Sequence, residues 1–368
     1  EDGASLEWRF EPSCPWVGHN ELLECGRFQP ACQIIARSAL ADLNFRARHP
    51  GTEDHDLWLR LAERGVHWQA CDRPVCAYRL RSAGMSRNFQ MMGAGLIGAT
   101  CESFDRARRR ARSAGSQLDL SLSREATIVD RIALDHATGA AAQHQGAAHG
   151  VPGELLASLG RRSQVSPEHA AASALWMIPY ADCKPPSAWG AADTGRRHDY
   201  LRLALRWWRH LSDSGFGAPG LADQAADALA ALIPDDQSVA NCIAASLTGR
   251  DKAVVYGLGR PARALAPALA REGIKFLGAD DALDPRTRRH FIADTALAVA
   301  PLSEALAGAS VCIITPERDE TMLARVPAGP RIIRWREVRR SLAMKLQSEF
   351  RSIAAALHEA PRHRERAA

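Results

Sequence analysis

Several features are scarce or missing in this sequence, and each absence narrows the class of protein. No stretch reaches the roughly 18 consecutive apolar residues that a membrane-spanning helix requires. The apolar stretch at 91–101 is short and glycine-rich, which predicts a linker or a buried segment. Nine cysteines lack any Cys-x-x-Cys pair, and Cys71 and Cys76 have neither a second pair nor spaced histidines to complete a zinc site. Reduced thiols in a cytoplasmic protein are therefore favoured.

Basic residues are concentrated at one end of the chain, whose formal net charge is +5. From Arg331 onward ten Lys or Arg stand against four Glu, so the preceding residues sum to about −1. A nearly neutral body predicts no nucleic-acid partner. The amphipathic segment 335–358 predicts a terminal helix packed on a sheet. The alternative is peripheral contact of this basic tail with the inner face of the membrane.

The central region reads as helices separated by proline and glycine breaks. Helices are predicted at 124–142, 166–178, 199–211 and 221–233. The basic stretch 106–112 (RARRRAR) predicts a solvated helix face or linker, with contact to anionic lipid or phosphate as the alternative. Trp207 and Trp208 lie among leucines at helical spacing, which favours a core position over stacking on a sugar.

Three histidines in this region, His136, His144 and His149, have a spacing that invites a metal site. The residues between them are alanine, glycine and glutamine, with no carboxylate at ligand spacing. We therefore interpret them as surface histidines, and no metal ligand is assigned in this sequence.

The C-terminal part has the order of a Rossmann unit: strand, glycine turn, helix, strand and terminal acid. Strands are predicted at 252–256, 273–278, 309–315 and 331–334, and a helix at 261–272. Gly257 would form the tight turn, Gly259 would admit a phosphate, and Asp280 or Asp281 stands where a ribose-binding acid belongs.

Two departures weaken that fingerprint, because Ala262 replaces the third glycine and Pro261 lies inside the turn. The segment resembles small nucleotide-binding-like domains attached to polysaccharide-biosynthesis enzymes, in which such glycines bind a nucleotide or only shape a βα turn. Binding of NAD or a nucleotide at Gly257, Gly259 and Asp280 is one interpretation, and a purely structural turn is the other. NAD, a nucleotide sugar and S-adenosylmethionine all stay open as ligands.

The segment 51–65 (GTEDHDLWLRLAERG) says most about function. Glu53 and Asp54 begin a short amphipathic helix, which Thr52 or Asp54 can cap and Gly65 can close. An apolar stripe along it, including Trp58, predicts burial of one face. A carboxylate held this way beside a cleft suits proton removal from a sugar hydroxyl.

These residues resemble the "ED-x-DLWLRL" segment of family 2 glycosyltransferases, the inverting nucleotide-sugar enzymes of GT-A fold. Residues 28–43 (FQPACQIIARSALADL) are similar to the strand, arginine and helix of that family's acceptor side. Residues 74–79 (PVCAYR) and 84–87 (GMSR) are similar to its closing segment. The resemblance covers about the first hundred residues and implies sugar transfer from a nucleotide diphosphate to a glycan or lipid-linked acceptor.

That resemblance implies Asp54 as the catalytic base and Glu53 as a neighbour that orients the acceptor or a metal-bound water. It places Tyr78 and Arg79 near the donor diphosphate. The alternative is that Glu53 and Asp54 have no catalytic role and are acidic residues of the kind common at helix N-termini. Asp56 and Arg60, at i and i+4, are expected to form a structural ion pair.

The family's N-terminal features, namely a first Rossmann-like strand, a uridine-binding acid and a metal-binding Asp-x-Asp motif, are not identified in this sequence. We expect a preceding segment to supply them together with the ligands of a divalent metal (Mg or Mn), so this fragment would be inactive alone. The processive family members' Gln-x-x-Arg-Trp motif is also not found. A non-processive transferase that modifies a cell-surface glycan or lipid-linked precursor is therefore expected.

These inferences define an α/β fold with four parts. Residues 1–92 are predicted to form a partial GT-A-type domain, and residues 93–248 a helical region. Residues 249–335 are predicted to form a Rossmann-like domain with a parallel sheet, and residues 336–368 an amphipathic helix with a basic tail. The competing functions are an NAD- or nucleotide-sugar-binding protein and a non-catalytic scaffold.

Overall fold

The fold is α/β in a computed structural model of the 368-residue chain. The residues that it describes are 16–25, 33–69, 84–114, 121–144, 151, 153–159, 165–184, 186–189, 194–280, 289–292, 295–315 and 320–365. The contacts divide the chain into two units, one formed by residues 1–229 with 353–368, and the other by residues 230–352.

Helices dominate the described residues. The α-helices are α1 His19–Cys25, α2 Arg37–Leu40, α3 Glu53–Ala62, α4 Phe89–Ala114, α5 Leu122–Gln143, α6 Gly153–Ser158, α7 Pro167–Ala181, α8 Thr194–Asp213, α9 Leu221–Leu232, α10 Asp236–Ala245, α11 Arg260–Arg271, α12 Leu302–Leu306, α13 Glu320–Leu323 and α14 Trp335–Glu365. The strands are β1 Trp16–Val17, β2 Trp68–Gln69, β3 Lys252–Tyr256, β4 Lys275–Ala279, β5 Arg289–Ile292, β6 Thr295–Ala298, β7 Val311–Ile314 and β8 Arg331–Arg334.

The first unit is built around packed helices. Helix α4 packs on α3 and α5, and α5 packs on α7 and α8. Trp207 and Trp208 on α8 are fully buried, as predicted, and Trp207 Nε1 donates to Thr138 Oγ1 at 3.0 Å. The four predicted central helices are present with ends shifted by a few residues. Helix α7 begins as the sequence indicates, with Ser166 accepting from the His169 N–H and Pro167 in the first turn.

The structure excludes one of the two alternatives that the sequence left open for residues 91–101. The segment 91–101 is not a linker but part of α4, where its glycines let neighbouring segments approach closely. Of the segment 28–43, for which the resemblance implies a strand and a helix, the structure describes residues 33–43: residues 33–36 have no regular structure, and a helix covers Arg37–Leu40. Residues 26–32 lie outside the described part of the chain. Strands β1 and β2 form a two-residue antiparallel pair.

The second unit contains a parallel four-stranded sheet in the order β4-β3-β7-β8. Alternate residues of β3 face opposite sides of this sheet. Ala253 and Val255 join a core formed with α10, α11 and Trp335, whereas Val254 and Tyr256 join a core that includes Ala305 and Leu306 of α12. Helices therefore cover both faces, as a parallel sheet requires.

Helix α10 was not predicted from the sequence. Pro234, Asp235 and Asp236 resemble a break between helices, but Asp235 caps α10 by accepting from the Ser238 N–H at 2.7 Å. Val239 and Ile243 of this helix are buried in the core beside the sheet. The acidic pair after the proline is thus a helix start.

Helix α14 uses part of its apolar face inside the protein. Trp335 is fully buried, and Val338 and Leu342 pack against the same core as β3. This is the packing that the sequence favoured for the first turns of the helix. Within the described residues, no helix combines the length and the apolar character needed to cross a bilayer.

Candidate functional site

The predicted catalytic acids lie in the first turn of α3. Thr52 occupies the N-cap position, but its hydroxyl donates to the His49 carbonyl at 3.3 Å and makes no capping bond. Asp54 Oδ1 instead accepts the His55 N–H at 2.8 Å, which helps satisfy the open helix end. Gly65 follows the helix with a φ of +83°, in keeping with its predicted role in ending it.

The carboxylate of Asp54 is partly buried beside a second acid. Burial raises the pKa of Asp54 above its ordinary value of 3.8, and the charge of Glu53 raises it further. Hydrogen bonds from the backbone N–H groups of His55 and Asp54 oppose this rise without cancelling it. Among the described residues, no Lys or Arg lies within ion-pairing distance of Asp54. The group therefore keeps an accepting oxygen and a strengthened basicity.

Asp56, two residues later, has the opposite environment. Its side chain is fully buried, and Oδ2 accepts from Arg60 Nε at 2.9 Å and lies 2.9 Å from Arg60 Nη2 in an ion pair. The predicted i,i+4 ion pair is confirmed. Residues two apart on a helix point to nearly opposite sides, so Asp54 and Asp56 do not form one metal-binding Asp-x-Asp site. Asp54 and Asp56 therefore do not supply the paired carboxylates that the resemblance implies for the diphosphate metal.

The basic stretch 106–112 supplies internal partners to α3. Arg106 Nε lies 3.1 Å and 3.0 Å from the two carboxylate oxygens of Glu63, and Arg110 Nη2 lies 2.6 Å from Glu63 Oε2. Glu63 is the residue that follows α3, and its side chain is buried. These two arginines therefore tie the end of α3 to α4.

A serine and a histidine meet beside Glu63 without forming a nucleophilic pair. Ser103 Oγ donates to Glu63 Oε1 at 2.6 Å, so its only proton is directed away from His19. His19 Nε2 lies 2.8 Å from Ser103 Oγ, and it must then be the donor in this hydrogen bond. Burial lowers the pKa of His19, while the charge of Glu63 opposes that fall. Because Ser103 is fully buried, this group cannot meet a substrate.

A third arrangement brings together groups that could hold a cation. His49, Asp56 and Glu102 each offer a ligand atom, and these atoms lie within 4.8 Å of one another. The side chains come from the loop before α3, from α3 and from α4. Gly98 of α4 permits the approach, because a Cβ at that position would lie 2.9 Å from the His49 ring. No sequence motif marks these positions, which are separated by 7 and 46 residues.

An open cleft of about 380 Å³ adjoins this cluster. It is lined by residues of the loop before α3 and of the region around the start of α4: Arg48, His49, Pro50, Asn88, Gln90, Met91, Ala94 and Gly95. His49 belongs both to the cleft and to the cluster. Glu53 and Asp54 are not among the lining residues.

The glycine loop of the second unit follows β3. Gly257 has a φ of +90°, so a residue with a side chain would be strained there. Asp280, at the end of β4, accepts the Leu258 N–H at 2.7 Å through Oδ2. This contact shows Asp280 supporting the loop itself. A Cβ on Gly259 would meet no atom within 4 Å, so the space in front of α11 is open.

The start of α11 has few free donors for a phosphate. Pro261 lacks an N–H, and the Ala262 N–H already donates to the Gly259 carbonyl at 3.1 Å. Thr315, which follows β7, donates through its hydroxyl to the Gly257 carbonyl. The contacts of Asp280, Ala262 and Thr315 favour a structural turn over a dinucleotide loop of the usual kind.

Two predicted site residues, Tyr78 and Arg79, lie outside the described part of the chain, as do Cys71, Cys76 and His149. The structure brings Glu53 and Asp54 together on α3, and Gly257, Gly259 and Asp280 together in the second unit. Comparison with protein-family models, curated proteins and solved structures found no match to this chain.

Proposed function

We propose that the first unit acts in inverting glycosyl transfer, with Asp54 as the general base toward an acceptor hydroxyl. The proposal also takes Glu53 as the neighbour that orients the acceptor. The donor would be a nucleotide-diphosphate sugar, and the acceptor a glycan or lipid-linked precursor. The proposal depends mainly on one observation: Asp54 and Asp56 lie in the same turn of α3 but differ in burial and in ion pairing.

Asp56 is fully buried and its Oδ2 is ion-paired with Arg60, whereas Asp54 is only partly buried, has no Lys or Arg partner among the described residues and has a raised pKa. A base works best when its pKa approaches the operating pH, and the partial burial of Asp54 moves it in that direction. Helix α3 is held rigidly by Leu57, Leu59 and Leu61, all buried in one core. This packing fixes the backbone that carries Asp54, and the His55 N–H bond to Oδ1 helps orient the carboxylate.

The step balances without any further reagent. The acceptor oxygen forms a bond to the anomeric carbon as the bond from that carbon to the nucleotide diphosphate breaks, which inverts the centre. The acceptor's proton moves to Asp54, and the nucleotide diphosphate leaves with the bonding electrons. Holding the acceptor in line and removing its proton are the two tasks assigned to this unit.

Asp54→Asn is expected to lower sugar transfer by about 10²- to 10⁴-fold, because asparagine cannot take the proton. The assay measures nucleotide-diphosphate release from UDP-, GDP- and dTDP-sugars by the longest gene product that contains this chain.

In the unsubstituted protein, transfer should fall as the pH drops through a pKa above 3.8, since the base must be ionised.

The control is Asp42→Asn, which removes an exposed carboxylate of the same unit. It should leave transfer unchanged. Thermal unfolding of both variants shows that the fold is intact. If Asp54→Asn transfers sugar at the rate of the control, the assignment of Asp54 is wrong.

A second candidate function rests on the order of the parallel strands. In the order β4-β3-β7-β8, the chain adds β4 on one side of β3 and then β7 on the other side, so the strand order switches between β3 and β7. Ligands of open α/β sheets bind at the carboxyl ends of the strands at such a switch point. The Gly257–Gly259 loop follows β3 at that point. On this alternative, the second unit binds NAD, a nucleotide sugar or S-adenosylmethionine.

Gly259→Asp separates the two interpretations of this loop. Aspartate fits the open space at Gly259 but repels a phosphate, so a ligand-induced rise in melting temperature should disappear while the unliganded melting temperature stays the same. Gly249→Asp is the matched control, since Gly249 is exposed and a Cβ there also meets nothing within 4 Å. No shift with any of the three ligands would remove the alternative.

A further inference from the structure

Two buried polar atoms in the cluster of His49, Asp56 and Glu102 have no hydrogen-bond partner among the described residues. Asp56 Oδ1 and His49 Nε2 are both buried and make no hydrogen bond. Asp56 is fully buried and His49 is more than nine-tenths buried. A buried polar atom left in this way costs free energy, on the order of 1–3 kcal/mol each. Each of the three residues has a ligand atom within 4.8 Å of the ligand atoms of the other two.

The three side chains bring potential metal-ligand atoms close together. His49 Nε2 lies 3.2 Å from Glu102 Oε1 without hydrogen-bond geometry. Asp56 adds a third ligand atom within 4.8 Å of the other two. Converging lone pairs on an imidazole and two carboxylates are unfavourable unless a cation or a proton lies between them. One imidazole and two carboxylates form a ligand set that zinc-class ions accept.

The other oxygen of each carboxylate is held by arginine. Arg60 binds Asp56 Oδ2, and Arg48 and Arg106 bind Glu102 Oε2. This leaves Glu102 Oε1 beside His49 Nε2, and Asp56 Oδ1 without a hydrogen bond among the described residues. Outer hydrogen bonds of this kind orient metal ligands in known sites. The same guanidinium groups bring positive charge close, with Arg106 Nη1 3.9 Å from Asp56 Oδ1, and so weaken binding of a dication.

From these contacts we infer that His49, Asp56 and Glu102 form a binding site for a divalent transition-metal ion of the Zn²⁺ class. Three protein ligands leave one tetrahedral position for water or for a group entering from the cleft at His49. The ion would join the loop before α3, α3 and α4. Its affinity is expected to be lower than that of a four-ligand structural zinc site, because Arg106 competes for the carboxylates. Asp54 is not among the proposed ligands.

The test is equilibrium dialysis of the purified chain against Zn²⁺, with metal measured by mass spectrometry. The expected result is one ion per chain and a higher melting temperature in Zn²⁺ than in chelator. Glu102→Gln and His49→Gln should each lower the affinity by more than the roughly 10- to 100-fold that loss of an outer-shell partner costs. Circular dichroism shows whether each variant is folded.

Glu125→Gln is the matched control, because Glu125 also pairs with an arginine, Arg108, but lies outside the cluster. It should bind Zn²⁺ as the unsubstituted chain does. Co²⁺ substitution distinguishes the cluster from the chain's cysteines, since thiolate ligands add a charge-transfer band that imidazole and carboxylates do not. No binding, a thiolate band, or binding undiminished in Glu102→Gln and His49→Gln would each overturn the site. None of these measurements depends on sugar transfer.

Discussion

Asp56→Asn is expected to lower the free energy of unfolding by about 3–5 kcal/mol. Asp56 is 0% exposed and its partner Arg60 only 5% exposed, so neither charge is solvated by water. The substitution leaves the Arg60 guanidinium buried, with the Asn44 carbonyl 2.6 Å away as a neutral acceptor. Burial lowers the pKa of Arg60, and the charge and hydrogen bond of Asp56 oppose this fall, so loss of Asp56 removes the groups that stabilise the buried guanidinium.

Urea denaturation followed by circular dichroism measures this loss, with chelator present so that no metal contributes. Asp42→Asn is the comparison, because Asp42 and Arg64 form a pair of similar length, 2.8 Å, at the surface. The Asp42 side chain is 79% exposed, and its loss should cost no more than about 1 kcal/mol. Equal losses in the two variants would contradict the role given to burial.

Glu63→Gln is expected to have an effect of similar size, about 3–5 kcal/mol. The Glu63 side chain is 1% exposed and accepts from Arg106, Arg110 and Ser103. Glutamine removes the negative charge and leaves two guanidinium groups facing each other across a neutral amide. The expected result is a lower midpoint of urea denaturation with an unchanged slope.

The pH dependence of the free energy of unfolding tests whether the loss comes from the charge of Glu63. Burial alone would raise the pKa of Glu63, but hydrogen bonds from Arg106 and Ser103 and the charges of Arg106 and Arg110 hold it below the ordinary value of 4.5. Stability contributed by Glu63 is therefore complete above about pH 4.5 and is lost as the pH falls through the lower, folded-state pKa. Glu63→Gln should reduce this acid dependence.

Asp199→Asn provides the control for the second prediction. Asp199 pairs with Arg202 at 2.9 Å, but its side chain is 70% exposed. We expect a change of at most about 1 kcal/mol and no change in the acid dependence. Glu63→Gln could instead change the free energy of unfolding and its acid dependence as little as Asp199→Asn does. The arginines of 106–112 would then not be internal partners of Glu63, and the alternative of contact with lipid or phosphate would be favoured.

Local patterns predicted much of the secondary structure. The strands at 252–256 and 331–334 have the predicted ends, because short apolar runs bounded by turns permit little else. The ion pair of Asp56 and Arg60 and the burial of Trp58 also follow from helical spacing alone. Each of these features depends on residues within one or two turns of chain.

Other features could not be read from local order. Pro234 and the two acids after it match a break as well as a helix start, and only the packing of α10 distinguishes them. The basic stretch 106–112 has the same sequence whether its arginines meet water or Glu63. Asp280 stands where a ribose acid belongs, yet its contact with the Leu258 N–H depends on the pairing of two strands.

The amino-acid order alone determined the helix that presents Glu53 and Asp54, since capping, charge and apolar spacing act over a few residues. It also determined the alternation of strand and helix in the second unit. Only the tertiary structure decided that Arg106 and Arg110 neutralise Glu63, and that Asp54 has no arginine partner among the described residues. It likewise decided that His49 meets Asp56 and Glu102, because pairing across tens of residues depends on how helices pack, and periodicity carries no record of that packing.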